Sequence, residues 1–271
     1  MKRLILAGAM LAAGAAAVLA QPTGQAGAAA PQAQAPEKKG PAPKSQAELT
    51  ALQALNTAVQ SGDADALIKA CEDLRANFPD TDFKAWSLSA EATAYQQKRD
   101  FIKAQIFAKE AIDADPKSFQ AALLLADLIS QHTGEHDLDR DEQIGKAQTY
   151  AKQAIDLVSN APKPNSQLTD DQWTATKKGI IGQAYHDIAL SETVRKNWDA
   201  AIAAFKLAIQ NDDQPAYKTQ MASAYQQSGK NDDAIALCDQ VLAVPSLDAR
   251  IKNAATAIKN AATQAKEKGG K

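Results

Sequence analysis

A chain of 271 residues with 30 Lys and Arg against 32 Asp and Glu has a net charge of −2, and its charges are intermixed with no basic stripe. Nucleic acid is excluded as a partner, because neutralising phosphates needs a concentrated Lys/Arg surface. The scattered charge reads as an ordinary solvated exterior.

Met1, Lys2 and Arg3 precede 17 mostly apolar residues, Leu4 to Ala20, which end in Val18-Leu19-Ala20 before Gln21. The order basic, apolar, small predicts a secretory signal peptide at residues 1–20, cleaved after Ala20. An uncleaved anchor is the alternative, but the run falls short of the roughly 20 residues that cross a bilayer, so no stable membrane span is expected after cleavage. No cysteine follows the run, which argues against a lipid-anchored form. Residues 21–46 are mostly Gln, Pro, Ala, Gly and Lys, with no aromatic or branched aliphatic side chain. Such a segment buries too little apolar surface to offset its conformational entropy, and it is read as a flexible linker.

From Ala47 onward, paired helical patterns follow one another. Between Gln46 and Pro79, Gly62-Asp63 makes a turn and Leu67, Cys71 and Leu74 form an apolar stripe. A second pair runs from Ala85 to Gln97 and from Asp100 to Pro116; Ala104, Ala108 and Ala111 fall at i, i+4, i+7, so a neighbouring helix can approach closely. In the third pair, Ser118 to about Ser159, the stripe is Ala147, Ala151 and Ala154, after an insertion from His132 to roughly Asp141. The fourth, Asp171 to Asp213, contains Ile-Ile-Gly-Gln-Ala-Tyr at 180–185, a longer first helix, then Trp198, Ala201, Phe205 and Ala208. In the fifth, Pro215 to Pro245, the stripe is Ala234, Cys238 and Val241. Residues 247–268 place Leu247, Ile251, Ala254, Ile258 and Ala261 on one side and Lys252, Lys259 and Lys266 on another, as a terminal capping helix requires.

Two segments nearly repeat: KAQIFAKEAID from Lys103 and KAQTYAKQAID from Lys146, 43 residues apart, while Ala-Tyr-Gln-Gln at 94–97 returns at 224–227. With Tyr95, Phe101, Ala104, Ala111 and Pro116 in order, the unit resembles the tetratricopeptide repeat; Ala108 stands where that family often has an aromatic. The resemblance implies an all-α, right-handed α-solenoid of about five helix hairpins over residues 47–246. Two of the hairpins carry insertions of roughly 7 to 9 residues on the family's period of about 34.

Cys71 and Cys238 occupy equivalent stripe positions in the first and last pairs, too far apart in a linear stack for a disulfide, and are expected as buried free thiols. The insertion HTGEHDLDRDEQ, 132–143, offers an alternative function, a metal-binding module or metal-dependent enzyme using His132, His136 and acidic residues through Glu142. Against it, Gly134 is expected to end the preceding helix. Glu142 and Gln148 stand where a calcium loop needs Gly and Glu, and Asp139 with Glu142 explains the pattern as a capping box. His186 lies beside Asp187, yet no Gly-flanked serine, nucleophilic cysteine or phosphate-cradling loop accompanies them, so neither catalysis, cofactor nor metal is expected. Tyr95, Tyr185 and Tyr225 recur at one place in the first helices, as packing residues do.

The resemblance implies a concave face lined by the first helix of each pair, where the family binds protein segments. Carried over, that face comprises Gln53 and Asn56; Trp86, Ser89, Thr93 and Gln96; Asp127 and Ser130; Gln183 and His186; Thr219, Ser223 and Gln226. Trp86 is its expected anchor, or else packs with Phe78 and Phe83. The face lacks the Lys/Arg set with which some relatives hold a carboxylate, so the expected ligand is a protein or peptide neither strongly acidic nor phosphorylated. The expected protein is a periplasmic or secreted scaffold, monomeric or weakly self-associating.

Overall fold

The computed structural model describes residues 41–164 and 167–269; the signal segment expected at 1–20, and the linker as far as residue 40, lie outside the described residues. Among the described residues there are eleven α-helices and no strand: α1 (Gln46–Ser61), α2 (Ala64–Asn77), α3 (Lys84–Gln97), α4 (Phe101–Ala114), α5 (Phe119–His132), α6 (Arg140–Asn160), α7 (Asp170–Val194), α8 (Trp198–Asn211), α9 (Pro215–Gln227), α10 (Asn231–Leu242) and α11 (Ala249–Gly269). The first ten form five consecutive hairpins, and α11 packs on α9 and α10. The molecule is an all-α solenoid.

The stripes of the second helices hold it together. Leu67, Cys71 and Leu74 of α2 are buried, as are Ala104, Ala108 and Ala111 of α4, Ala147, Ala151 and Ala154 of α6, Ala201, Phe205 and Ala208 of α8, and Ala234, Cys238 and Val241 of α10. Small side chains at this spacing let each second helix lie close against its partner and the next first helix. The core is distributed: one cluster joins α1 and α2 to α3, another runs from α3 to α6, smaller ones lie between α5, α6 and α7, and a last one joins α7 through α11. Each hairpin is thereby stabilised by its own packing and by that of its neighbours. Cys71 and Cys238 sit in the first and last of these clusters as buried free thiols. Tyr95 stacks on Phe107 at 5.3 Å, Tyr225 packs on the last cluster, and Tyr185 is half-buried.

Local signals set most of the ends. Ser45, Asp63, Asp100, Ser118 and Thr169 cap their helices through side-chain oxygens, and Pro215 opens α9. Four of the five hairpins turn through a left-handed residue, supplied by Gly62 and Gly229 but also by Arg99 and Lys196, at φ 60° and 58°.

Four expectations are corrected. Lys44, Ser45 and Gln46 belong to the folded array: Ser45 caps α1, Lys44 N donates to Glu48 Oε2 at 2.6 Å, and Lys44 Nζ meets Asp80 and Asp82. Gly134 does not terminate α5, which ends at His132 with Thr133 donating to Ile129 O at 2.7 Å. Asp139 and Glu142 form no capping box; Asp139 accepts from Gln143 and Glu142 pairs with Lys146, while the box that forms is Thr169 with Gln172. On α11 the buried alanines are Ala255 and Ala262, whereas Ala254 and Ala261 are exposed, so the covering face is Ile251, Ala255, Ile258 and Ala262.

The insertion of the third hairpin meets the turn of the fourth. The α5–α6 connection and the first turn of α6 lie against the end of α7, where Arg195 reaches Asp141 at 3.3 Å, Lys196 pairs with Glu135 at 2.5 Å and Gln148 donates to Glu192 at 2.5 Å. The third and fourth hairpins are tied across their turns by these contacts.

Candidate functional site

The residues expected on the inner face lie on α1, α3, α5, α7 and α9, and polar contacts join two pairs of these helices, α3 to α5 and α7 to α9. Gln96 of α3 donates to Asp127 of α5 at 3.4 Å, and Nε2 of His186 on α7 shares a 2.6 Å hydrogen bond with Oε1 of Gln220 on α9. Asp127, Ser130, His186 and Thr219 are buried at these seams, while Asn56, Trp86, Ser89, Thr93, Gln96, Gln183, Ser223 and Gln226 are half-buried and Gln53 is exposed. The surface left to a ligand is therefore narrower than the sequence suggests, and neutral.

Helical backbone chemistry explains part of this. Ser89, Thr93, Ser130 and Thr219 turn their hydroxyls onto carbonyls three or four residues earlier in their own helices, at 2.8 to 3.2 Å. Gln226 Oε1 accepts from its neighbour Gln227 at 3.1 Å, and the half-buried Gln183 makes no such bond to its own helix. His186 also stacks on Tyr217, with ring centroids 4.5 Å apart, which fixes it as part of the α7–α9 seam.

Trp86 belongs to the first cluster: it packs with Phe78 and Phe83, and its Nε1 is buried with no hydrogen-bond partner, as is Oδ1 of Asn56 on α1. Behind them, across the α2–α3 seam, the fully buried Glu91 is met by Arg75, whose guanidinium lies 5.9 Å from the Phe107 ring centroid. Burial raises the Glu91 carboxyl above the usual glutamate range, and Arg75 opposes that rise. Burial, helped by the Glu91 charge, pushes the Cys71 thiol up to about 12, so it is not a nucleophile near neutral pH.

The insertion does not assemble a metal site. Among the described residues no group of three or more His, Cys, Asp or Glu is placed to hold an ion. His132 stacks on Phe101 at 3.5 Å, and partial burial lowers its pKa. Asp137 accepts from Gly134 N at 2.6 Å, Glu142 is taken by Lys146, and Asp141, held between Arg140 and Arg195, lies below the usual carboxylate range because of them, as Glu135 does beside Lys196. Every carboxylate from Glu135 to Glu142 has a local partner that keeps it from converging on the imidazoles. No described helix is long and apolar enough to cross a membrane.

Sequence reasoning missed the partners that reach across hairpins: Arg75 for Glu91, Gln220 and Tyr217 for His186, and Thr81 for the buried Glu48, which accepts from Thr81 Oγ1 at 2.7 Å. The Ser45–Glu48 spacing suits a capping box, but Glu48 instead accepts from Thr81 and from Lys44 N.

No family model matches the sequence, and no curated protein matches it. Solved structures do. A thermophilic tetratricopeptide-repeat protein of Thermus thermophilus, TTC0263, superposes with a TM-score of 0.55 at 16% identity, over 78% of this chain and 98% of its own. MamA of Desulfovibrio magneticus RS-1 gives 0.56 at 10% identity, over 73% and 94%, and another MamA structure gives 0.53 at 17%, over 72% and 90%. At such identities the likeness is one of architecture, and the chain has the fold of a tetratricopeptide-repeat solenoid, five helix hairpins closed by an eleventh helix.

Proposed function

We propose that the chain is a non-enzymatic scaffold that binds protein segments along the face lined by its first helices, and that it does so in the cell envelope of a bacterium, exported by residues 1–20. The observation that carries this reading is that the Gln96–Asp127 and His186–Gln220 contacts hold two pairs of neighbouring first helices together, beside half-exposed neutral side chains. Such amides suit the main-chain and neutral side-chain groups of an extended segment. An acidic or phosphorylated ligand would lose its hydration there without a cation to offset the loss. The charged groups of the chain support the non-enzymatic reading: those in the insertion and at the α2–α3 seam are engaged in structural pairs.

A peptide library screened against the parent chain and against Gln183→Lys/Gln226→Lys tests the site. Neutral sequences bound by the parent and lost by the variant, with unchanged helicity, are the expected result; equal binding by both chains would move the site elsewhere. A fusion of residues 1–46 to a reporter active only outside the cytoplasm tests export, and an inactive fusion would remove the envelope from the proposal.

A further inference from the structure

The second helices can be laid over one another through the first residue of each buried stripe: Leu67, Ala104, Ala147, Ala201 and Ala234. Two residues before and two after that position, the helix faces away from its hairpin. These outward places hold Asp65 and Lys69 on α2, Gly145 and Thr149 on α6, Asp199 and Ala203 on α8, and Asp232 and Ala236 on α10. On α4 alone they hold two large apolar residues, Ile102 and Ile106, which are 77% and 50% exposed. The near-identity of α4 and α6 makes the contrast informative. Lys-Ala-Gln, the stripe alanines and Ala-Ile-Asp are kept, while the two outward isoleucines are replaced by Gly and Thr. The fold does not require them. At i, i+4 they form one apolar ridge on a helix face that no described residue covers, unlike a single exposed apolar residue.

Charge selects what can cover that ridge. The stretch entering α4 and its first turn, Lys98 to Lys103, carries three cations and one anion; the last turn and exit, Lys109 to Asp115, carry one cation and three anions. A helix polarised in this way is complementary to itself in antiparallel orientation, where the basic entry of one copy faces the acidic exit of the other and the two isoleucine ridges meet at the twofold axis. Opposed helix dipoles favour the same arrangement. The geometry points to α4 as the contact of an isologous dimer, two copies of this chain packed antiparallel through Ile102 and Ile106. Two isoleucines and their flanks cover less than the roughly 800 Å² per partner of a stable interface, so the dimer is weak, with a dissociation constant of about 10 µM to 1 mM.

Analytical ultracentrifugation of the full chain, from low micromolar to near-millimolar concentration, tests this. The weight-average mass should climb from monomer toward dimer. Ile102→Asp/Ile106→Ala, which installs the pair that α8 carries, should shift the midpoint upward by at least about tenfold with an unchanged melting temperature, since both side chains are exposed. Glu110→Lys, which leaves the ridge intact, should weaken the dimer at low salt and much less at high salt. A chain monomeric throughout the range would overturn the proposal. So would a dimer indifferent to both variants, or a different protein held on this face by a chain that does not pair with itself.

Discussion

The α1–α3 and α7–α9 ends of the inner face are built from the same helix-pair pattern, yet their seams close differently. At the α7–α9 seam His186 is held by Gln220 and stacked on Tyr217, and Gly182 brings α7 so near α8 that an added Cβ would stand 2.8 Å from Cβ of Asp212. Around α3 the seam is closed by one buried ion pair, Arg75 with Glu91, and on its inner side Trp86 Nε1 and Asn56 Oδ1 are buried without partners. Repetition therefore fixes where the helices go without fixing how each seam is satisfied. The end near α1 keeps polar atoms for which any pairing would be a gain.

The largest break in the comparison should come from Arg75→Ala. Removing one member of a buried pair strands the other, at a cost of about 3–5 kcal/mol in urea unfolding at neutral pH. Because the folded chain holds the Glu91 proton more tightly than the unfolded chain does, this carboxyl stabilises most when protonated, below the ordinary value of 4.5, and that contribution is lost as pH rises through the folded value. Without Arg75 the folded value climbs further, so the deficit should shrink on acidification; a deficit independent of pH would mean that Glu91 is not what the mutation exposes. Gly182→Ala comes next. Helix propensity favours alanine, but the crowding against Asp212 and Ala208 O should leave a net loss of about 1–2 kcal/mol. Stabilisation by this change would show that α7 and α8 can part cheaply.

Two tryptophans sharpen the contrast at smaller magnitude. Trp173 Nε1 donates to Ala161 O at 3.3 Å, so Trp173→Phe should cost about 1 kcal/mol beyond the loss of ring area. Trp86→Phe removes a donor that bonds to nothing, so beyond the loss of ring area its cost should stay within about 0.5 kcal/mol. A larger loss would place an unseen acceptor at Trp86. The finest test is Gln220→Leu, expected to cost about 1 kcal/mol at the α7–α9 seam.

The architecture was legible because burial at i, i+4, i+7 by Ala, Cys and Leu leaves a periodic mark that no surface helix needs to carry. Where composition blurs that mark, legibility fails: α11 offers Ala254 beside Ala255 and Ala261 beside Ala262, and only contact with α9 and α10 decides which pair is covered. The residues expected on the candidate face fall on first helices, and several are more buried than the sequence suggests. Asp127 and His186 point along that face, yet their partners lie on neighbouring first helices, Gln220 being 34 residues from His186, and no local pattern announces a bond of that span. The insertion is the complementary case. A run rich in His and Asp resembles a ligand set until the fold supplies Lys146, Arg195 and Lys196 as nearer partners.

Those same partners give the solenoid a mechanical character. A stack of hairpins that touch only their neighbours behaves as a spring, and an even spring opens from whichever end is looser. Here the ties from Glu135, Asp141 and Gln148 to Lys196, Arg195 and Glu192 bind two adjacent coils in the middle. Pulled from its ends, the chain should extend first through its outer hairpins and yield last at this tied pair. A single-molecule pulling trace in which the central step came first would show the ties to be too weak to matter.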